Sequence, residues 1–341
     1  MDSEQLKLGE TGSGSGAVEI IRSNLKRCPR WPIGNFPSPV WPANFPDGRR
    51  FWIKDDGRCS EVYGGNKVRK LEYLLADVKR LHKKVLVVHG DVGSHTVQAC
   101  GIWGRQTGME VHAVVFPHRN QSRNASELTS LRRIAVRVHL QRTMPGAVLK
   151  AHWIGWCRQG YVVPLGASTP LATVGYIQAA LELDEQIREG LLPVPRTIYL
   201  PFATGGSVAG LLIGLWVAGL KTRVVAVQTV DGIIANQRRL ERLIRKTLAV
   251  LGADQGFVHR CLERLEVIDG QNLGAGYRDV PSKVTEAVRA ARQHGLQLEP
   301  VFSGKAFAAL LDALPQFSNG ELLFWNTHDQ HKLPVEAEVR P

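Results

Sequence analysis

Short β-branched apolar runs alternate with helix-patterned stretches along most of the chain, and this alternation limits the fold more than any other feature. "VLVV" (Val85 to Val88), "VHAVVF" (Val111 to Phe116) and "AVRVHL" (Ala135 to Leu140) come first, separated by periodic segments such as "TVQACGIWGRQTG". "TIYLPFA", "TRVVAVQ", "LEVID" and "ELLFW" follow, again with helical patterns between them. The alternation predicts an α/β fold of open, mainly parallel sheets with helices on both faces. The blocks Leu71 to Ala172 and Thr197 to Trp325 each carry their own strand–helix cycles, so two lobes with a ligand cleft between them are expected.

The resulting division has a flexible tail at 1–17, which holds "GSGSG", a large domain from 18–66 with 176–341, and a small one over 67–175. The proline-rich stretch before Phe51 can be neither regular helix nor central strand, and is expected to wrap a domain surface.

A formal charge of +12 raises a nucleic-acid partner, but the basic residues are scattered. Their densest cluster, Asn236 to Gly252, sets Leu240, Leu243, Ile244, Leu248 and Leu251 at helical spacing, so its arginines read as the wet face of an amphipathic helix. Cys28, Cys59, Cys100, Cys157 and Cys261 are odd in number and far apart, against a disulfide framework or a CxxC metal site. No apolar run approaches the ~20 residues that span a bilayer. The expectation is a cytoplasmic protein with no nucleic-acid, membrane or metal partner.

Three stretches could carry chemistry. In "EVYGGNKVRKLEYLL", a turn tolerant of positive φ precedes a helix whose Val68, Leu71, Leu75 and Val78 share a face, with Arg69, Lys79 and Arg80 left to water. Lys67 then sits in the first helical turn, where the macrodipole disfavours an ammonium and lowers its pKa. A surface charge and an activated amine both remain open. In "VLVVHGDVGSHTVQACGIWG", a strand, a glycine turn and a helix start aim N–H groups at one point, which suits a carboxylate or phosphate; an ordinary βα turn capped by Ser94 is the other reading. In "IYLPFATGGSVAGLLIGLWVAGL", Thr204, Gly205, Gly206 and Ser207 open an apolar helix as a phosphate cradle lacking the Walker lysine, or as a loop packed for sterics. Lysine, anion-binding turn and phosphate loop together suit pyridoxal phosphate.

"YGGNKVRKLEYLLAD" also resembles the "GGNK.RKLE" lysine motif of the fold-type II pyridoxal-phosphate enzymes grouped as 1-aminocyclopropane-1-carboxylate deaminases and D-cysteine desulfhydrases. "FWIKDDG" (Phe51 to Gly57), "LGASTPLATVGY" (Leu165 to Tyr176) and "PVFSGKA" (Pro300 to Ala306) are similar to further family motifs in the same order. The resemblance runs from about Arg27 to Trp325 and implies a two-lobed, tryptophan-synthase-β-like fold binding pyridoxal 5′-phosphate.

Carried over by position, it implies Lys67 as the Schiff-base lysine and Asn66 beside the cofactor. Thr204, Gly205, Gly206 and Ser207 would hold the phosphate, and Ser303 would face the pyridine nitrogen. Ser94 would bind the substrate carboxylate and aid proton transfer, with Thr96 and Phe302 on the substrate side. Tyr277 lies near a second active-site tyrosine of the family.

Three departures stand out. His95 replaces an asparagine at the cofactor, as a general acid/base or a plain hydrogen-bond donor. Phe302 replaces a tyrosine, removing a hydroxyl. "NTHD" (Asn326 to Asp329) replaces "HTGG".

The implied activity is a lyase acting on a small amino acid by β-elimination, with D-cysteine or a related β-substituted alanine as substrate and a homodimer as the assembly. β-Replacement in a specialised biosynthetic pathway is the first rival. A binding or regulatory protein that keeps the fold without turnover is the rival of another class.

Overall fold

The computed structural model describes residues 11–45, 48–117, 121–134, 137–270, 279–317 and 320–330. Strands β1 (Val40–Asn44), β2 (Arg50–Asp55), β7 (Thr197–Phe202), β8 (Arg223–Gln228), β9 (Leu265–Ile268) and β10 (Leu322–Asn326) form one sheet in the order β1-β2-β10-β7-β8-β9. Only the β1–β2 pair is antiparallel, and Pro42 sits in that edge strand, where a missing N–H is tolerated. Strands β3 (Val85–Asp91), β4 (Glu110–Phe116), β5 (Arg137–Leu140) and β6 (Tyr161–Val163) form a second, parallel sheet in the order β5-β4-β3-β6. The fold is the expected α/β arrangement of mainly parallel sheets. The sequence patterns did not single out β1, β2 or the three-residue β6.

The two-residue period of the strands assigns each face a core. On β8, Val224 and Ala226 meet α1 (Thr11–Arg27), α6 (Pro170–Arg188), α7 (Gly206–Ala218), α8 (Gln237–Val250) and α9 (Val258–Leu262). Val225 and Val227 of the same strand meet α10 (Ser282–Gln293) and α11 (Ser303–Ala313). In the small sheet, Leu86 and Val88 pack under α2 (Asn66–Arg80), α3 (His95–Gln106) and α4 (Gln121–Arg133), while Val85 and Val87 face α5 (Met144–Cys157). Both cores share α2 and α6: Tyr73 and Tyr176 pack on the large sheet, and Leu71, Leu75 and Ala172 on the small one. The lobe division proposed at 66/67 and 175/176 therefore runs through the helices that join the sheets.

Two expectations are corrected. The tail expected over 1–17 gives way at Thr11 to α1, whose Ala17 and Ile21 are buried in the large core; residues 1–10 lie outside the described residues. Arg69, expected in water, is buried, because its guanidinium answers two buried carboxylates, Asp56 and Glu182. Among the described residues no helix is long and apolar enough to cross a membrane.

Close helix contacts set the spacing of the layers. A Cβ at Gly175 of α6 would lie 2.1 Å from the Arg69 carbonyl oxygen on α2. On α7, one at Gly210 would meet the Thr173 carbonyl oxygen at 2.6 Å and Tyr176 Cβ at 2.4 Å. Neither neighbour is a flexible side-chain end, so the helices themselves would have to move. Gly210→Val is expected to lower stability by about 1–3 kcal/mol, read as a reduced urea midpoint. An unchanged midpoint would show that α6 and α7 are not locked at this distance.

Candidate active site

Parallel strands of both sheets end at one cavity of about 320 Å³, the usual ligand position in open α/β sheets. Asp91 closes β3, Phe116 closes β4, and Ala203 to Ser207 follow β7 on its wall. Helices α2, α3, α5 and α7 begin there, at Asn66, His95, Met144 and Gly206, and α11 begins just after cavity-lining Phe302. Each helix start carries unpaired N–H groups and about half a positive charge. Two starts are already served: at α5 Thr143 Oγ1 accepts the Gly146 N–H (3.3 Å), and at α11 the Glu299 carboxylate accepts the N–H groups of Val301 (2.6 Å), Phe302 (2.9 Å) and Ser303 (2.6 Å). Three starts remain to attract anions.

Gly65 holds the turn before α2 at φ 83°, where a Cβ would also approach the Thr327 carbonyl oxygen to 2.8 Å. Lys67 lines the cavity with no hydrogen bond or ion pair to a described residue. Burial pulls its pKa down to about 8, with the nearby Cys100 only weakly opposing. This is the activated-amine reading, with desolvation as the leading cause.

One helical turn on, Lys70 is also buried, and donates to the Gly166 carbonyl (3.2 Å) and to Ser168 Oγ (3.4 Å). Burial, and then the charge of Lys67, push it well below the usual lysine range. It lies against the Thr204–Ser207 loop: a Cβ on Gly206 would fall 2.8 Å from Lys70 Nζ and 2.7 Å from Ser168 Oγ. Thr204 Oγ1 shares a 2.7 Å hydrogen bond with Ser168 Oγ, and Asn66 Nδ2 donates to Ser207 Oγ at 3.2 Å. The loop thus has a buried lysine amine of its own beside it, which the loop sequence alone did not reveal.

Opposite the lysines, Ser94 caps α3 by position, and its hydroxyl makes no hydrogen bond to a described residue. Thr96 is buried beside it on the cavity wall. The His95 ring lies between Phe302, 6.0 Å away, and His328, 5.0 Å away between centroids. The cavity therefore brings together Lys67, Asn66, Ser94, His95, Thr96, Phe302 and the Thr204–Ser207 loop.

Ser303 is fully buried off the cavity wall, and its hydroxyl is 3.0 Å from the Glu299 carboxylate as part of the capping of α11; Glu299 itself stands on the wall. Tyr277 lies outside the described residues.

Sequence reasoning missed Lys70, Glu299 and His328. Lys70 had a readable signal, since it follows Lys67 by one helical turn and shares its face. Glu299 could have been read as a capping acid ahead of "SGKAFAALL". His328 had no local signal.

A lysine held near pH 8 has a readable consequence in cofactor-free protein. A small amine-acylating reagent should modify Lys67 with a midpoint near pH 8, located by peptide mass analysis. A midpoint near 10.5 would mean that its amine is in water.

Comparison with known proteins agrees with this geometry. The family model described as pyridoxal-phosphate dependent enzyme matches residues 33–327. A Pyrococcus furiosus protein provisionally described as a 1-aminocyclopropane-1-carboxylate deaminase is 27% identical over 317 residues, covering 90% of this chain and 94% of its own length. A crystal structure described as an ACC deaminase homologue superposes with a TM-score of 0.77 at 25% identity, over 90% of this chain and 94% of that one. Processed threonine deaminase isoform 2 from Solanum lycopersicum shares the fold, with a TM-score of 0.64 at 13% identity over 95% and 91%.

Proposed function

We propose, on the premise that this chain belongs to the pyridoxal-phosphate-dependent enzyme family, that it is a lyase removing a substituent from Cβ of a small amino acid. The carrying observation is the pairing of a neutralisable Lys67 with the starts of α3 and α7 in one cavity.

The residues present fit the cofactor. Lys70 is a buried lysine with no carboxylate partner among the described residues, and a bound anion would favour its charged form. Gly206 leaves the cradle open where any side chain would fill it. Thr204, Gly205, Gly206, Ser207 and Lys70 would hold the phosphate, with Asn66 and His95 nearer the ring and Lys67 Nζ as the point of covalent attachment. When bound, pyridoxal phosphate supplies an electron-withdrawing ring that makes the substrate's α-proton removable.

This chain's own groups then divide the remaining work. With a pKa of about 8, Lys67 Nζ can take the proton from Cα and hold it near neutral pH. Ser94 Oγ and the N–H groups at the start of α3 would bind the α-carboxylate, which sets Cα between that helix and Lys67. Phe302 offers no hydroxyl on the substrate side. That favours a substrate whose Cβ already bears a leaving group, such as D-cysteine or a related β-substituted alanine, over opening of an unactivated cyclopropane ring. The name of the P. furiosus relative supports ammonia-releasing chemistry of this general kind.

Reconstituted protein should show a visible absorption band that borohydride bleaches, and Lys67→Ala should show none. Release of pyruvate and ammonia from a panel of D- and L-amino acids should single out β-substituted alanines; release from 1-aminocyclopropane-1-carboxylate alone would overturn the reading. Lys70→Met should raise the dissociation constant of pyridoxal phosphate by about 10- to 100-fold, the value of a charge-assisted hydrogen bond. Unchanged cofactor affinity in Lys70→Met would remove Lys70 from the cradle.

A further inference from the structure

The second histidine of the cavity wall is not used by the chemistry above. His328 follows β10, and its position is fixed on both sides. Its N–H donates to Asn326 Oδ1 (3.0 Å), Asn326 Nδ2 donates to Asp55 Oδ1 (2.7 Å), and the Gly64 N–H donates to Asp329 Oδ1 (2.7 Å). Its ring leans on His95 at 33°, and Nδ1 is sealed from solvent with no hydrogen-bond partner among the described residues. Nε2 has no protein partner among the described residues either and is not sealed, so it is the nitrogen that reaches the cavity.

That asymmetry selects a tautomer. A buried N–H without an acceptor is rarer in proteins than an underused acceptor lone pair. The proton of a neutral His328 therefore belongs on Nε2, with the lone pair of Nδ1 left in the sealed position. Burial holds the ring below the ordinary histidine value, against the opposing pull of Glu299 and Asp329, so the neutral form prevails at neutral pH. Glu299 cannot take over this role, because its oxygens are occupied by the start of α11. Phe302, across the His95 ring, has no donor.

We infer that His328 Nε2–H recognises a hydrogen-bond acceptor on the substrate's β-substituent, so that the site selects β-hydroxy, β-thiol or β-oxy amino acids over aliphatic ones of similar size. His95 acts as the positioning residue that the His328 ring rests on. The inference deepens the amino-acid lyase reading and depends on it.

The test uses holoprotein and two probes without an α-proton, α-methylserine and 2-aminoisobutyrate, which cannot turn over by elimination. Dissociation constants are read from shifts of the visible band. Native protein should prefer α-methylserine by about 10-fold, as one buried hydrogen bond provides. His328→Phe keeps a ring against His95 and should bring the ratio close to one with the cofactor band intact, whereas His328→Gln, which retains an N–H, should recover part of it. Ring ¹⁵N shifts of His328 in cofactor-free protein supply an independent readout and should report the Nε2–H tautomer at neutral pH. An Nδ1–H tautomer, or a preference that survives in His328→Phe, overturns the inference alone. If neither probe nor glycine shifts the band, the amino-acid reading fails and takes the inference with it.

Discussion

The site depends on a buried carboxylate, Asp56, that ties four separate parts of the chain together. Arg69 Nε of α2 (2.9 Å), Tyr176 Oη of α6 (2.6 Å), Trp325 Nε1 of β10 (2.9 Å) and Ser38 Oγ from the segment before β1 (3.0 Å) all donate to it. Glu182 accepts from the same Arg69 and from buried Lys54, so two acids and two bases balance in the interior. Removing one partner from such a cluster leaves a bare buried charge, which costs about 3–5 kcal/mol. Its structural effect is to fix α2. At about 100° per residue, Arg69 points away from the face that carries Lys67 and Lys70. The helix is therefore gripped on its back, and its lysines are presented to the cavity on its front.

The same local logic continues one residue earlier. The Asp55 carboxylate accepts from Asn326 Nδ2 (2.7 Å), Gln330 Nε2 (2.5 Å) and the Gly57 N–H (2.8 Å). This ties the strand preceding α2 to the turn that carries His328. Burial raises Asp55 to about 6, and these hydrogen bonds oppose the rise. Two consecutive aspartates thus hold the lysine helix and the histidine turn in one frame, which lets chemistry be placed by residues that never touch a ligand.

Much of this was legible in the sequence. Strand period and apolar runs gave the fold class, because the buried parallel strands read as continuous β-branched segments. The lysine motif and the two glycine turns gave the cavity's main residues, since backbone requirements leave a local mark. Arg69 was misread because amphipathic patterning ranks a charge as wet and cannot see two acids 13 residues before it and 113 after it in the chain. Ser303 sits off the wall because a hydroxyl at a helix start has a backbone competitor, and Glu299 draws it into the cap. His328 was invisible because its significance lies in its tilted ring contact with His95, which is remote in sequence.

The distribution of helix starts fixes which way round a ligand must lie. Five helices begin at or just beside the cavity, and of these α5 already has its start capped by Thr143 Oγ1. Glu299 removes α11 by occupying its N–H groups with a resident carboxylate. At α2 the first turn holds Lys67 itself, whose approach to neutrality weakens that end as an anion site. The strongest remaining sites are α7, reinforced by Lys70 and the hydroxyls of Thr204 and Ser207, and α3, with the Ser94 hydroxyl. The first has a second buried lysine and the second does not, so on the proposed reading the more highly charged group would lie at α7 and a singly charged carboxylate at α3. Lys67 would then stand between two anions that it does not have to bind, where its amine could act as a base.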